Sequence, residues 1–352
     1  MLRKSLLTAI CLSPLMMFAF TSFASAQALD GKRISGPVVN ENLAIYFIHG
    51  PSTPGKVPLT LEEALAKGAV RVRETGSVNQ LEIENLGAED IFVQSGDIVK
   101  GGRQDRVLMV SLVLPPKSGP MPIASFCVEQ GRWSARGAED SKNFSTASAS
   151  VPSREMKLAM KAPLASKSSG GYPSSAAPMV ETSERQHAVW EGVRQTQEKL
   201  AGSLGASVKA AESASSLQLA LENEKLTAAR ESYVKALKAA GEESDDIVGY
   251  VFAVNGKLNS ADVYPSNGLF RKMWTKLLTA SATEAIGQKD QPSGDLPSIE
   301  AVTAFLAAAE SGAKTEKSIT AGMRLVTRDA DKAYLFEAAQ PSGWVHRNYL
   351  AK

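Results

Sequence analysis

Apolar residues follow two rhythms along this chain. Over residues 43–128 they come in short runs bounded by Gly, Pro, Asn and Asp; from Val189 they recur at helical spacing, and strands return near the C-terminus. Residues 43–49 (LAIYFIH) read as a strand, with Pro51, Pro54 and Pro58 marking a loop after it. Thr60-Leu61-Glu62-Glu63 has the form of a capping box, in which the threonine hydroxyl accepts from the third helical amide and Glu63 reaches back. A short helix to Lys67 is predicted, stopping at Gly68. Strands follow at 70–74, 80–85, 90–94, 107–114 and 122–128, a rhythm that suggests an antiparallel, sandwich-like sheet.

In the second half, Val189, Val193, Leu200 and Leu204 recur near helical spacing, and Trp190 adds bulk. Residues 215–240 lack Gly and Pro and place Leu219, Leu226, Tyr233 and Leu237 at intervals of seven and four. Both read as amphipathic helices packed as a pair or laid on the sheet. Asn255-Gly256, between 248–254 and 257–264, predicts a tight hairpin because both turn positions need positive φ. Ser266 or Asn267 caps a helix with Leu269, Phe270, Met273, Trp274, Leu277 and Leu278 along one side. A helix at 299–310 and strands at 317–320, 323–327 and 332–338 lead to Trp344-Val345-His346-Arg347. The expected fold is one α+β domain over 42–350, mostly antiparallel sheet or sandwich with packed amphipathic helices. Ser, Ala, Lys and Pro dominate 134–183; such a composition buries too little apolar surface to offset its ordering, so 162–182 is expected to be a flexible insertion.

The start of the chain changes the setting. Arg3 and Lys4 precede an apolar stretch over 6–23 that holds Pro14, and Ala24-Ser25-Ala26 supplies a small-residue cleavage pattern, with a second cut after Ala28 also compatible. This is the form of a signal peptide (residues 1–26) and not of a membrane span, so an exported, periplasmic or secreted protein without a membrane anchor is expected. Cys11 would leave with the signal, so of two cysteines only Cys127 remains and no intramolecular disulfide is available. Removing Arg3 and Lys4 from 39 basic residues leaves 37 against 37 acidic ones. That balance argues against a nucleic-acid partner, which needs a basic excess or patch.

Chemistry-bearing residues gather in two stretches, SGDIVKGGRQDRVL from Ser95 and CVEQGRW from Cys127. Each joins an apolar strand to a polar, glycine-bearing end, where sites are commonly placed. A short Pro/Gly turn between the strands predicts that they pair as antiparallel neighbours with their polar ends on one rim. Lys100-Gly101-Gly102-Arg103 has the make-up of an anion nest, in which successive turn amides and flanking cations hold an oxyanion; it is equally the make-up of a tight turn. Gln104, Arg106, Gln130, Arg132 and His346 join it as candidate ligand-binding residues, with Asp97. Cys127 is the candidate nucleophile and Glu129 a candidate acid or base; the alternatives are a small buried strand residue and a salt-bridged carboxylate. Asp97 and Asp105 carry the same two readings. His49, His187 and His346 fall at no metal-ligand spacing, none of these residues names a cofactor, and the tryptophans read as core anchors.

The same two stretches, followed by VWEGV from Val189, GYVFAVNGKLNSADVYPSNGLFRKMWTKLL from Gly249 and WVHRNYL from Trp344, resemble the ARG- and rhodanese/phosphatase-superfamily-associated domain family of bacteria. The likeness spans nearly the whole mature chain. It implies an α+β domain and, through the company its genes keep, a role around nucleotide-derived small molecules. Three readings follow: binding of a small anionic, nucleotide-like ligand at the shared rim; a hydrolase or transferase using Cys127 or Glu129; or a structural or partner-binding domain whose motif residues lock the fold by ion pairs. Binding ranks first, because no catalytic constellation can be read from spacing.

Overall fold

The computed structural model describes residues 31–163, 177–319 and 322–352. The expected signal peptide lies outside them, as do residues 164–176 of the expected insertion. The fold starts earlier than Asn42, with β1 (Arg33–Asn40) paired antiparallel to β2 (Leu43–His49). β1 alternates only weakly between buried and exposed positions, which hides it in the sequence. β3 (Leu59–Thr60) enters α1 (Leu61–Ala66) through a complete capping box: Thr60 Oγ1 accepts from the Glu63 amide at 3.2 Å and Glu63 Oε2 from the Thr60 amide at 2.8 Å.

The next strands are β4 (Val70–Ser77), β5 (Gln80–Asn85), β6 (Ile91–Val93), β7 (Asp97–Gly101), β8 (Arg106–Leu108), β9 (Leu112–Leu114) and β10 (Gly119–Cys127). The apolar run over 107–114 is therefore not one strand. It breaks at Met109–Ser111, where the chain leaves one sheet for another. β11 (Phe144–Ser150) and α2 (Arg154–Lys161) then order much of the Ser/Ala-rich region against the domain. α3 (Ala177–Leu204) buries Val189, Val193 and Leu200. The single helix expected at 215–240 is two, α4 (Leu217–Leu221) and α5 (Glu224–Leu237), because the Asn223 side chain accepts from the Lys225 and Leu226 amides and starts a new helix.

β12 (Ile247–Val254) and β13 (Lys257–Val263) form the Asn255-Gly256 hairpin, with φ of 51° and 76° at the turn. α6 (Asn267–Gly287), capped by Ser266, and α7 (Ile299–Glu310), capped by Ser298, precede β14 (Ala313–Ser318), β15 (Arg324–Asp329), β16 (Ala333–Gln340) and β17 (Gly343–Ala351).

These strands build an antiparallel eight-stranded sheet, β1-β2-β12-β13-β17-β16-β15-β14, a six-stranded sheet, β11-β7-β8-β10-β5-β4, and a small sheet, β3-β6-β9. β2 and β12 are buried along their whole length, as near-continuous apolar runs require. On one face of the large sheet, Leu43, Ile45, Phe47, Tyr250 and Phe252 share a core with Phe270, Met273 and Trp274 of α6. That core also takes in Ile98, Val107 and Phe126 of the six-stranded sheet, and α6 packs on β2 and β12 of the large sheet and on β11 of the six-stranded one. α7 covers the opposite face through Val302, Leu306 and Ala309. The class is α+β with mostly antiparallel sheets. No described helix is long and apolar enough to cross a membrane.

Candidate functional site

The two motif stretches meet as neighbouring strands. β8 pairs with both β7 and β10, and Arg106 stands opposite Cys127. At the start of the β7–β8 turn Gly101 and Gly102 take φ of 121° and 58°, and a Cβ on Gly102 would lie 2.6 Å from the Phe144 ring and 2.8 Å from Glu74 Oε1. Only glycine fits there. The turn amides go to separate acceptors of the protein itself. Gly101 N–H donates to Asp105 Oδ1 at 3.0 Å, Arg103 N–H to Glu74 Oε1 at 3.0 Å, and Asp105 N–H to Glu129 Oε2 at 2.9 Å. The Gly102 amide goes to the Asp140 and Asn143 carbonyls.

Three guanidinium groups neutralise those carboxylates. Arg132 Nε lies 2.7 Å from Glu129 Oε1, and its terminal nitrogens donate to the Gly101 and Gly102 carbonyls. Arg136 reaches Asp105 at 3.1 Å, Glu129 at 3.2 Å and Glu139 at 2.9 Å. Arg106, fully buried, sits 3.4 Å from Glu74. Burial and the neighbouring Glu129 raise the Asp105 carboxyl above its ordinary value, with Arg136 opposing. Glu129 is desolvated too, yet its bonds from Arg132 and Ser213 hold it below the usual carboxylate range. Ser216 caps α4 and donates to Asp105 Oδ2 at 2.8 Å, so the knot also anchors a helix.

Cys127 has no exposed surface. Its sulfur accepts from Arg106 at 2.8 Å and donates to Gln104 Oε1 at 3.0 Å, while Gln186 of α3 pairs with both its backbone groups at 2.9 Å. Burial pushes the thiol up to about 11, Arg106 only partly opposing, and no histidine contacts it among the described residues. A thiolate that scarce is a poor nucleophile. Iodoacetamide at about pH 8 should leave Cys127 unmodified in the folded protein and alkylate it once urea unfolds the chain. Rapid labelling without denaturant, followed by mass spectrometry, would overturn this.

The remaining candidates are distributed more widely. Gln104 Nε2 donates to the Glu129 carbonyl at 2.8 Å and belongs to the knot. Arg103 is exposed, its guanidinium 5.8 Å from the ring of Trp133, and Gln130 is exposed. Trp133 is no core anchor: it is 47% exposed. His346 is buried away from the rim, bonded to Ser111 at 2.9 Å and Asp262 at 3.0 Å. Asp97 pairs with Lys276 at 3.1 Å, and Lys100 with Glu222 at 2.7 Å.

Both of those partners line a cavity of about 300 Å³ between β11, α4, α5 and α6. Arg230, Gln218, Thr227, Thr279 and Thr283 also face it. Arg230 donates to the Leu221 carbonyl at 2.7 Å and Thr227 Oγ1 at 2.9 Å, and no carboxylate among the described residues pairs with it. Burial works against its charge. Gln218, 1% exposed, gives its NH₂ to Glu222 at 2.9 Å, which leaves Oε1 buried with no partner. Glu222 accepts only, so the amide cannot turn round without setting oxygen against oxygen.

Glu74, Arg136, Ser216 and Arg230 carry much of this arrangement and were not legible as site residues: Glu74, Ser216 and Arg230 lie far in sequence from the motif stretches, and Arg136, three residues past Trp133, falls in the Ser/Ala/Lys-rich stretch. Among the described residues no group of three or more His, Cys, Asp and Glu has metal-binding geometry. No curated protein and no solved structure matches the chain. Residues 31–350 match the model of the ARG and Rhodanese-Phosphatase-superfamily-associated Protein domain, ARPP-1, and the chain belongs to that family.

Proposed function

We propose that this protein binds a small anionic molecule, and that its site is the cavity beside β11 and not the glycine turn. The observation that carries this reading is Arg230, a guanidinium on the cavity wall with no carboxylate partner among the described residues. An uncompensated, desolvated cation favours an oxyanion, and arginine offers phosphate or carboxylate a two-pronged donor. The glycine turn, by contrast, has its amides already satisfied by Asp105, Glu129 and Glu74. Its work is to lock β7 and β10 together, which places Lys100 and Asp97 to hold Glu222 and Lys276 at the cavity.

The volume suits a ligand of sugar-phosphate size, at the small end of ligand pockets. Gln218 Oε1 adds a buried acceptor suited to a ligand hydroxyl or amine. Thermal-shift titration with inorganic phosphate, ribose 5-phosphate and adenosine monophosphate tests the reading. At least one should raise the melting temperature; saturation at a hundredfold over Kd corresponds to about 2.7 kcal/mol. Arg230→Met should abolish that shift while changing the stability of the free protein by no more than about 1 kcal/mol. Equal binding by Arg230→Met, or no response to any of the three, would overturn it.

A further inference from the structure

α2 lies across the large sheet and sets two lysines, Lys157 and Lys161, four residues apart and therefore on one face. The Lys157 ammonium is 5.9 Å from the Phe252 ring centroid and that of Lys161 is 5.6 Å from the Phe336 centroid. Lys157 is only 9% exposed. Neither lysine has an ion-paired carboxylate among the described residues. Two buried carboxylates lie around them, both engaged elsewhere: Asp262 Oδ1 accepts from Asn348 at 2.9 Å and from His346 at 3.0 Å, and Glu284 Oε1 from Asn259 Nδ2 at 3.3 Å. Lys161 uses one of its three donors within this network, on Asn348 Oδ1 at 3.0 Å. Beside them on β13, Asn259 Oδ1 and Ser260 Oγ are buried with no hydrogen-bond partner, and Ser260 is directly across from Phe252.

We propose that Lys157 and Lys161 clamp a small oxyanion, a carboxylate or phosphate group, over Asn348 and the Asn259–Ser260 edge of β13. This site shares no residue with the Arg230 cavity. The argument is one of unspent donors. A buried ammonium keeps its charge cheaply only when its N–H groups meet acceptors, and among the described residues Lys161 has one side-chain acceptor and Lys157 none. Burial pushes Lys161 down to about 8, with Asp262 opposing the shift and Lys157 adding to it. A lysine pair that served packing alone would be replaceable by methionine at no cost. An oxyanion between the two ammonium groups supplies the missing acceptors, and its substituent can meet the unpartnered Asn259 and Ser260 atoms.

The test uses Arg230→Met as background, so that the first cavity is silent. Calorimetric titration of that variant with inorganic phosphate and, separately, malonate should show one site for at least one of the two, and which one binds distinguishes phosphate from carboxylate. Adding Lys157→Met and Lys161→Met together should weaken that binding by roughly tenfold or more, with the melting temperature of the free protein unchanged or raised, since methionine removes buried charge while keeping volume. Binding that survives the double substitution, or no binding of either anion in the Arg230→Met background, would overturn the proposal. A steep fall in melting temperature of the lysine variant would also overturn it, by showing that the lysines are internal counterions. Loss of the Arg230 site alone leaves this result readable, because the background already lacks it.

Discussion

Replacing Arg136 with alanine is expected to destabilise the fold by about 3–5 kcal/mol, because it strands buried carboxylates without their counterion. Arg136 bridges Asp105, Glu129 and Glu139, and the first two have fully buried side chains. Arg103→Ala is the control: its guanidinium is exposed and, among the described residues, meets only the Trp133 ring, so its change should stay within about 0.5 kcal/mol. Urea denaturation of the two variants decides the matter; similar midpoints would mean the guanidinium pairings do not hold the rim. Acid should narrow the Arg136→Ala deficit. Asp105 already sits above its ordinary value in the folded chain, so lowering the pH protonates it there before it does so in the unfolded chain. That group's contribution to stability therefore rises as pH falls through its folded value, and losing Arg136, which opposes the shift, widens the effect.

The knot also shows what kind of information the sequence carried. Gly101-Gly102 between cations has the make-up of an anion nest and equally of a tight turn; what spacing could not say is that the turn amides go to separate acceptors of the same chain, Asp105, Glu74 and the Asp140 and Asn143 carbonyls. Local signals were read well where the cause is local. The capping box at Thr60 and the Asn255-Gly256 turn are set by a few neighbouring residues, and both stand as expected. Misreadings cluster where a distant partner decides. The run over 107–114 is apolar apart from Ser111 because both of its strands are largely buried, but in different sheets, and apolarity does not name the sheet. Arg136 lies in a stretch whose Ser/Ala/Lys composition suggested solvent, yet three carboxylates draw its guanidinium inward. The interruption of 215–240 is the intermediate case: Asn223 is a good cap, but only the structure shows that a helix begins there. Arg230 lies in a stretch that reads as an amphipathic helix, and Lys157 and Lys161 in the Ser/Ala/Lys-rich region; only packing brings out their surroundings.

Trp274→Ala is expected to cost about 3–5 kcal/mol, through lost burial and the cavity left behind. Its indole has no exposed surface and packs against Phe47, Tyr250 and Phe270, each with ring centroids 5.5 Å away. The ring N–H donates to the Lys238 carbonyl at 2.8 Å, which ties the end of α5 to α6. Gly241 is part of the same fit: a Cβ there would lie 2.3 Å from the indole, so the backbone approaches as closely as the ring allows. Trp274→Phe keeps most of the apolar volume and gives up the N–H, so its cost should be clearly the smaller of the two. The functional consequence follows from helical geometry. Lys276, Thr279 and Thr283, on the next turns of α6, line the Arg230 cavity, and Trp274 fixes how that helix sits on the large sheet. Where Trp274→Ala still folds, the thermal shift produced by a phosphate-bearing ligand should fall along with stability, whereas Trp274→Phe should retain it. Denaturation and ligand titration of both variants check this; a Trp274→Ala protein that loses less than about 1 kcal/mol would show that the aromatic cluster does not hold α6 in place.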